Sequence, residues 1–238
     1  MMKTLLPTKI GEYLKDLLFP RLCTVCGKRL CVSEKVLCVD CLHHLPRTEY
    51  HLQRGNPCEQ IFYHRVKGLQ QAAAYFYYER DNKYKNILWN LKYRGQTEIG
   101  RVMGCIMAEE IRLTSSFFEG IDVIIPVPLS KQKQKKRGYN QCNFIVEGIS
   151  GKTGIPVGKQ YLLRTIDNES QTHKTRLERQ ENVEHIFEVR HGEELKGKHI
   201  LLVDDVLTTG ATLLSCASAL AKIENTRFSF LTLACTKF

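Results

Sequence analysis

Apolar residues recur along the chain in two rhythms. Over residues 84–93, Ile87, Leu88 and Leu91 fall on one face at helical spacing, and the pattern continues over 99–113, 139–150 and 211–223. Short apolar runs lie between these segments: AAAYFYY at 72–78, DVIIPV at 122–127 and HILLVD at 199–204, with a final run at 227–234. These read as buried strands, and two shorter strands are expected at 160–163 and 185–189, the first following a turn at 154–156. Apolar strands separated by helices imply an α/β domain, a parallel sheet covered by helices on both faces.

The first 70 residues break this rhythm. Ile10, Tyr13, Leu14, Leu17 and Leu18 predict an amphipathic helix within residues 1–19, too interrupted by Pro7, Lys9, Glu12, Lys15 and Asp16 for a signal peptide. Residues 20–60 hold a cysteine-rich module. Residues 46–68 are polar and irregular, with Gly55, Asn56 and Pro57 as turn formers, and the α/β domain is expected over 70–238. At 238 residues, 43% hydrophobic and 25% charged, the chain suits one domain with a small appendage. No apolar run approaches the roughly 20 residues of a membrane helix, so a cytoplasmic protein, not integral to a membrane, is expected. The net charge of +10 suits polyanionic partners, either nucleic acid or phosphorylated metabolites, as well as plain solubility.

Ten cysteines change the picture further. Cys23 and Cys26 form one CxxC pair and Cys38 and Cys41 another, with eleven residues between the pairs. Two such pairs supply four thiolates for one tetrahedral ion, and structural zinc suits that donor set. A redox pair, or a module that has lost its metal, are the alternatives. Cys31 and Cys58 are spare; Cys105, Cys142, Cys216 and Cys235 read as small core residues. His43 and His44 adjoin the second pair, but four cysteines already complete a site.

The most informative stretch is Val203–Thr212, VDDVLTTGAT. A buried strand runs into Asp204 and Asp205, and then Thr208, Thr209, Gly210, Ala211 and Thr212 lead into a helix. A helix N-terminus receives phosphate, and Gly210 allows the backbone to approach it closely. Ionised carboxylates only accept hydrogen bonds, so they suit the hydroxyls of a ribose. A magnesium site or a plain helix cap are alternatives, but neither explains the threonine-rich continuation.

This stretch resembles the 5-phosphoribosyl-1-diphosphate (PRPP) signature of type I phosphoribosyltransferases. With LKYRG at 91–95, IIPVPL at 124–129, KRGYNQ at 136–141, QTHKTRLERQENV at 171–183 and the four cysteines, nearly the whole chain resembles the ComF family of competence-related proteins. The resemblance implies a type I phosphoribosyltransferase-like parallel sheet flanked by helices, with a small N-terminal zinc ribbon. It implies that Asp204 and Asp205 take the ribose hydroxyls, and that Val206, Leu207, Thr208, Thr209, Gly210, Ala211 and Thr212 line the 5′-phosphate. Pro126, Val127 and Lys136 fall beside the pyrophosphate, with Arg137 the favoured group among the lysines of 131–136. Tyr139 is expected either to stack on a base or to pack at a helix start. Residues 164–183, with Lys174, Arg176 and Arg179, match a lid over the ligand, or else form a plain connection. PRPP with magnesium is the implied ligand. Single-stranded DNA and a helicase of natural transformation are the implied partners. The alternative is an active transferase that places ribose 5-phosphate on a nitrogen nucleophile.

Overall fold

The structure is a computed structural model and describes residues 20–165 and 186–237. The expected helix within 1–19, most of the expected lid, and Lys174, Arg176 and Arg179 therefore lie outside the described residues.

Four strands make one all-parallel sheet: β1 (Leu69–Tyr77), β2 (Val123–Pro126), β5 (His199–Leu207) and β6 (Arg227–Cys235), in the order β1-β6-β5-β2. The central strands β5 and β6 are nearly continuous in apolar residues because both of their faces are covered. On one face Leu201, Val203, Leu231 and Leu233 meet the apolar stripes of α3 (Lys85–Tyr93), α4 (Glu98–Thr114) and α6 (Gln141–Thr153). On the other face Ile200, Leu202, Phe228 and Phe230 meet α2 (Pro57–Phe62) and α7 (Ala211–Leu220). α4 and α6 touch at backbone distance. A Cβ on Gly104 would lie 2.3 Å from the Ile145 carbonyl oxygen, and one on Gly148 would lie 2.2 Å from that of Arg101.

Three features depart from the pattern expected of the sequence. Residues 46–68 are not merely irregular. Asn56 caps α2 by accepting from the Glu59 N–H at 3.1 Å, with Pro57 in the first turn, so the turn formers are a helix start. Pro46–Thr48 hydrogen-bond along the outer edge of β1, which closes that edge. The short strands β3 (Leu162–Arg164) and β4 (Phe187–Val189) stay outside the main sheet and pair with each other as an antiparallel ribbon.

The cysteine module packs onto the α/β core. Val25, Leu30, Val36, Leu37 and Leu45 join the α3/α4 face in one apolar cluster, and the Tyr84 hydroxyl donates to the Cys41 carbonyl at 3.0 Å. Arg47 forks onto Glu110 of α4 at 2.7 and 2.6 Å, and Tyr75 of β1 donates to the same carboxylate at 2.7 Å. Among the described residues no helix is long and apolar enough to cross a membrane.

Candidate functional site

β5 does not end at Asp204. It pairs with β6 as far as Leu207, whereas β2, its other neighbour, stops at Pro126 opposite Val203. Beyond Val203 one edge of β5 is therefore open. That opening, at the carboxyl end of a parallel strand, is where open α/β sheets receive ligands.

Side chains of α3 and α6 reach the two acids there. Lys92 Nζ lies 2.7 Å from Asp205 Oδ2, and the Gln141 amide donates to the same oxygen at 3.0 Å. Asp204 Oδ1 accepts from the Asp205 N–H at 2.8 Å and meets the Cys142 thiol at 3.5 Å. Arg137 donates to Gln141 Oε1 at 2.8 Å, and its guanidinium lies 5.1 Å from the Tyr93 ring centre. The acids are thus held by a relay, Arg137 to Gln141 to Asp205, with Lys92 closing it from the other side. Among the described residues no hydrogen bond reaches Asp204 Oδ2 or Asp205 Oδ1, which leaves one acceptor on each acid.

Burial and the adjacent Asp205 charge push the Asp204 carboxyl up to about 7, against the opposing pull of the Asp205 N–H and Lys92. For Lys92, burial works against the charged form, but attraction by Asp205 and Asp204 outweighs it and holds the ammonium above its ordinary value.

Past the acids, Thr208 and Thr209 are exposed and Gly210 is buried with φ +76°. An added Cβ at Gly210 would sit 2.6 Å from Ile61 Cγ2 and 2.9 Å from Phe62 Cε1. Glycine is therefore required by the α2 helix behind the loop, a constraint additional to any approach of a phosphate in front of it. The N-cap of α7 is Gly210, which has no side chain, and the Ala211 N–H makes only a long contact with Thr209 Oγ1 at 3.4 Å, so the N–H groups of the first turn can be offered to an anion. Two cavities flank this loop. One of about 500 Å³ lies against Thr212 and Ser215, with Arg65 and Arg164 at its wall. The other, of about 550 Å³, is lined by Lys92, Thr208 and the aromatic rings of Trp89 and Tyr93.

In the module, the sulfurs of Cys23, Cys26, Cys38 and Cys41 all lie within 4.8 Å of one another, and Cys26 and Cys38 are 3.7 Å apart. Four sulfurs each about 2.3 Å from one tetrahedral zinc would be about 3.8 Å apart, so the cluster fits that ion. Burial raises the Cys23 thiol, but N–H groups of Cys26, Cys38 and Val25 outweigh it and hold it at about 7. A cluster with backbone donors aimed at sulfur is suited to thiolates. Cys31 and Cys58 do not join it: Cys31 is exposed, and Cys58 is buried in the opposite core beside Cys235.

Residues 153–236 match the family described as phosphoribosyl transferase domain. The chain is 32% identical over 148 residues to competence protein ComFC of Bacillus subtilis, covering 60% of this chain and 55% of that protein, so it spans about half the length of that relative. It is 26% identical over 204 residues to DNA utilization protein YhgH of Escherichia coli strain K12, covering 84% of each. It is 24% identical over 208 residues to competence protein F of Haemophilus influenzae, covering 84% of this chain and 91% of that one. The chain thus resembles the ComF group of competence and DNA-utilization proteins and carries a phosphoribosyl transferase domain match. Its fold is type I phosphoribosyltransferase-like, a parallel sheet flanked by helices with a four-cysteine cluster near the N-terminus. A solved structure with a similar trace is the glutamine PRPP amidotransferase of B. subtilis complexed with ADP and GMP. It is 16% identical, with a TM-score of 0.43 over 60% of this chain and 30% of that one.

Within this site the sequence-derived residues are distributed unevenly. Asp204, Asp205, Val206, Leu207, Thr208, Thr209, Gly210, Ala211 and Thr212 form one continuous strand-loop-helix edge. Pro126 and Val127 are buried beside it, the Val127 N–H donating to the Val203 carbonyl at 2.9 Å. Arg137 reaches the acids through Gln141, whereas Lys136 is exposed on α5 (Lys131–Arg137). Tyr139 sits at the start of α6, with its hydroxyl on the Leu91 carbonyl and its ring 5.7 Å from that of Phe144, an arrangement of packing. Cys142, Cys216 and Cys235 are buried, while Cys105 is half-buried and donates to the Gly148 carbonyl. Lys92 and Tyr93 lie in the LKYRG stretch and Gln141 ends KRGYNQ, but the sequence assigned none of the three a role. Besides that motif, Lys92 carried a signal of its own: it stands four residues after buried Leu88, on the apolar side of α3 where a solvated lysine would not be placed.

Proposed function

We propose that this ComF-like protein binds PRPP, or another ligand carrying ribose 5-phosphate, at the end of β5 and the start of α7. We further propose that it serves the handling of DNA taken up in natural transformation. The observation that carries the ligand is the acid pair at an open sheet edge, followed within a few residues by a helix N-terminus whose cap is a glycine. Each acid keeps an acceptor for a hydroxyl, and the helix offers N–H donors to the 5′-phosphate. Magnesium would accompany the pyrophosphate as its counter-ion. The four cysteines would hold structural zinc, whose binding supplies folding energy on the order of 10 kcal/mol to a module too small for its own core. In this reading residues 20–60 form the zinc ribbon and 70–238 the ligand-binding domain of a cytoplasmic protein.

The DNA role draws support from the relatives, which are named for competence and for DNA utilization, and from the charge of +10. A competence helicase would then be a natural partner. Isothermal calorimetry with PRPP and magnesium tests the ligand, and saturable binding abolished by Asp204→Asn with Asp205→Asn is expected. Unchanged binding in that double variant would sink the site assignment. The cavity of about 550 Å³ beside Thr208 favours a second reading, transfer of the 5-phosphoribosyl group to a nitrogen nucleophile with release of pyrophosphate. PRPP consumption and pyrophosphate release matched by an equal amount of N-phosphoribosylated acceptor would establish it, whereas release without that product is hydrolysis.

A further inference from the structure

The cavity beside Thr208 has a rim that ribose-phosphate binding does not use. Trp89 and Tyr93, one turn apart on α3, are 55% and 53% exposed, and their rings lie 4.7 Å apart at a tilt of 53°. Two large aromatic rings left in water on one helix face are unusual unless something covers them. The charge around them states what kind of partner. Arg80 and Lys85 line the same cavity, and the Arg137 guanidinium lies 5.1 Å from the Tyr93 ring centre. Arg137 ends α5, on which Lys131, Lys133, Lys135 and Lys136 are all exposed. Among the described residues none of those four lysines has a carboxylate within ion-pair distance, whereas Lys152, Lys159, Lys196, Lys198 and Lys237 each do.

We infer that Trp89 and Tyr93 are a base-stacking platform for single-stranded nucleic acid, and that the α5 lysines carry its phosphates. An unpaired strand offers both things the surface lacks: flat π-faces for the rings and a polyanionic backbone for the cations. A duplex offers only the second, because its bases are already stacked. A free nucleobase offers only the first and leaves α5 uncompensated. The platform adjoins the acid pair through Lys92, which lines the cavity and bonds Asp205, so a stacked base would lie next to the ribose-phosphate site. This inference rests on the DNA-handling part of the proposed function.

Trp89 is the chain's single tryptophan, so its emission reports the platform directly. The full chain is titrated with a thymidine oligonucleotide, with a duplex of equal length, and with thymidine alone, following tryptophan fluorescence and oligonucleotide anisotropy together. Quenching that saturates with the single strand and far exceeds that of the other two is expected. Trp89→Ala should weaken single-strand binding by about 5- to 150-fold, the range for one base on one ring, and Trp89→Phe should restore most of it. Each of Lys133→Gln and Lys135→Gln should lower the slope of log affinity against log salt by about 0.7. If the single strand binds but neither quenches Trp89 nor responds to Trp89→Ala and Tyr93→Ala, the platform is wrong and DNA handling stands. If the chain binds no single strand while PRPP still binds, the DNA reading itself fails and takes the platform with it.

Discussion

Replacing Lys92 by methionine should destabilise the fold through the partner it abandons. Lys92 and Asp205 have side chains 17% and 6% exposed, and their contact is 2.7 Å. Breaking a buried pair by removing one member costs about 3–5 kcal/mol, because the remaining charge is left without compensation. Here Gln141 still donates to the same Asp205 oxygen at 3.0 Å, so the lower end, about 3 kcal/mol, is expected. Methionine keeps the length and the apolar contacts of the stem, so cavity formation adds little. For a chain of this size about 3 kcal/mol corresponds to a fall in Tm of roughly 6–12 °C. Urea denaturation of wild type, Lys92→Met, Asp205→Asn and the double variant measures it. The orphaned charge predicts that Asp205→Asn rescues most of the loss in the Lys92→Met background. If Lys92→Met costs less than about 1 kcal/mol, or the double variant is no more stable than Lys92→Met alone, the ion pair does not hold this edge of the sheet.

Gly210→Ala should cost roughly 2–4 kcal/mol, by adding left-handed backbone strain to a clash with Ile61 and Phe62, and should weaken PRPP binding; thermal unfolding and calorimetry read the two effects. Asp204, raised from 3.8 to about 7, holds a proton in the folded state that the unfolded chain has released, so its contribution makes stability fall as pH rises from about 4 towards about 7; Asp204→Asn should remove that slope in denaturation curves taken across the range. Because an ionised carboxylate accepts hydroxyl hydrogen bonds more strongly than a protonated one, PRPP affinity should rise as pH passes upward through about 7, which calorimetry at several pH values checks. A strong chelator should release zinc in a one-to-one ratio with chain and lower the cooperativity of unfolding, since the module shares an apolar cluster with α3 and α4; atomic absorption and circular dichroism follow it.

The legible parts of the fold were those in which one physical demand acted alone. α3 and α4 show one apolar face each, and β5 and β6 are apolar on both, so periodicity located them within a few residues. α2 was hidden because Asn56 and Pro57 serve equally well as a turn or as the cap and first turn of a helix, and the six-residue helix has little room for a period. The end of β5 was misplaced because adjacent aspartates disfavour a strand; pairing with β6 through Cys235 overrides that preference. The antiparallel β3–β4 ribbon could not be foreseen from two short apolar runs, which carry no information on partners. The acids and the threonine loop stood out in the sequence because residue type and order are themselves the signal. The roles of Lys92, Gln141 and Tyr93 did not, since only the passage of α3 and α6 over the open edge brings them to Asp205 and Arg137.

The most direct measurement is a crystal structure of the chain with PRPP and magnesium. The expected density places the ribose hydroxyls on Asp204 and Asp205 and the 5′-phosphate against the N–H groups that open α7. A ligand found elsewhere, or an empty loop at concentrations where calorimetry shows saturation, would contradict the assignment of Val203–Thr212 as a ribose 5-phosphate site.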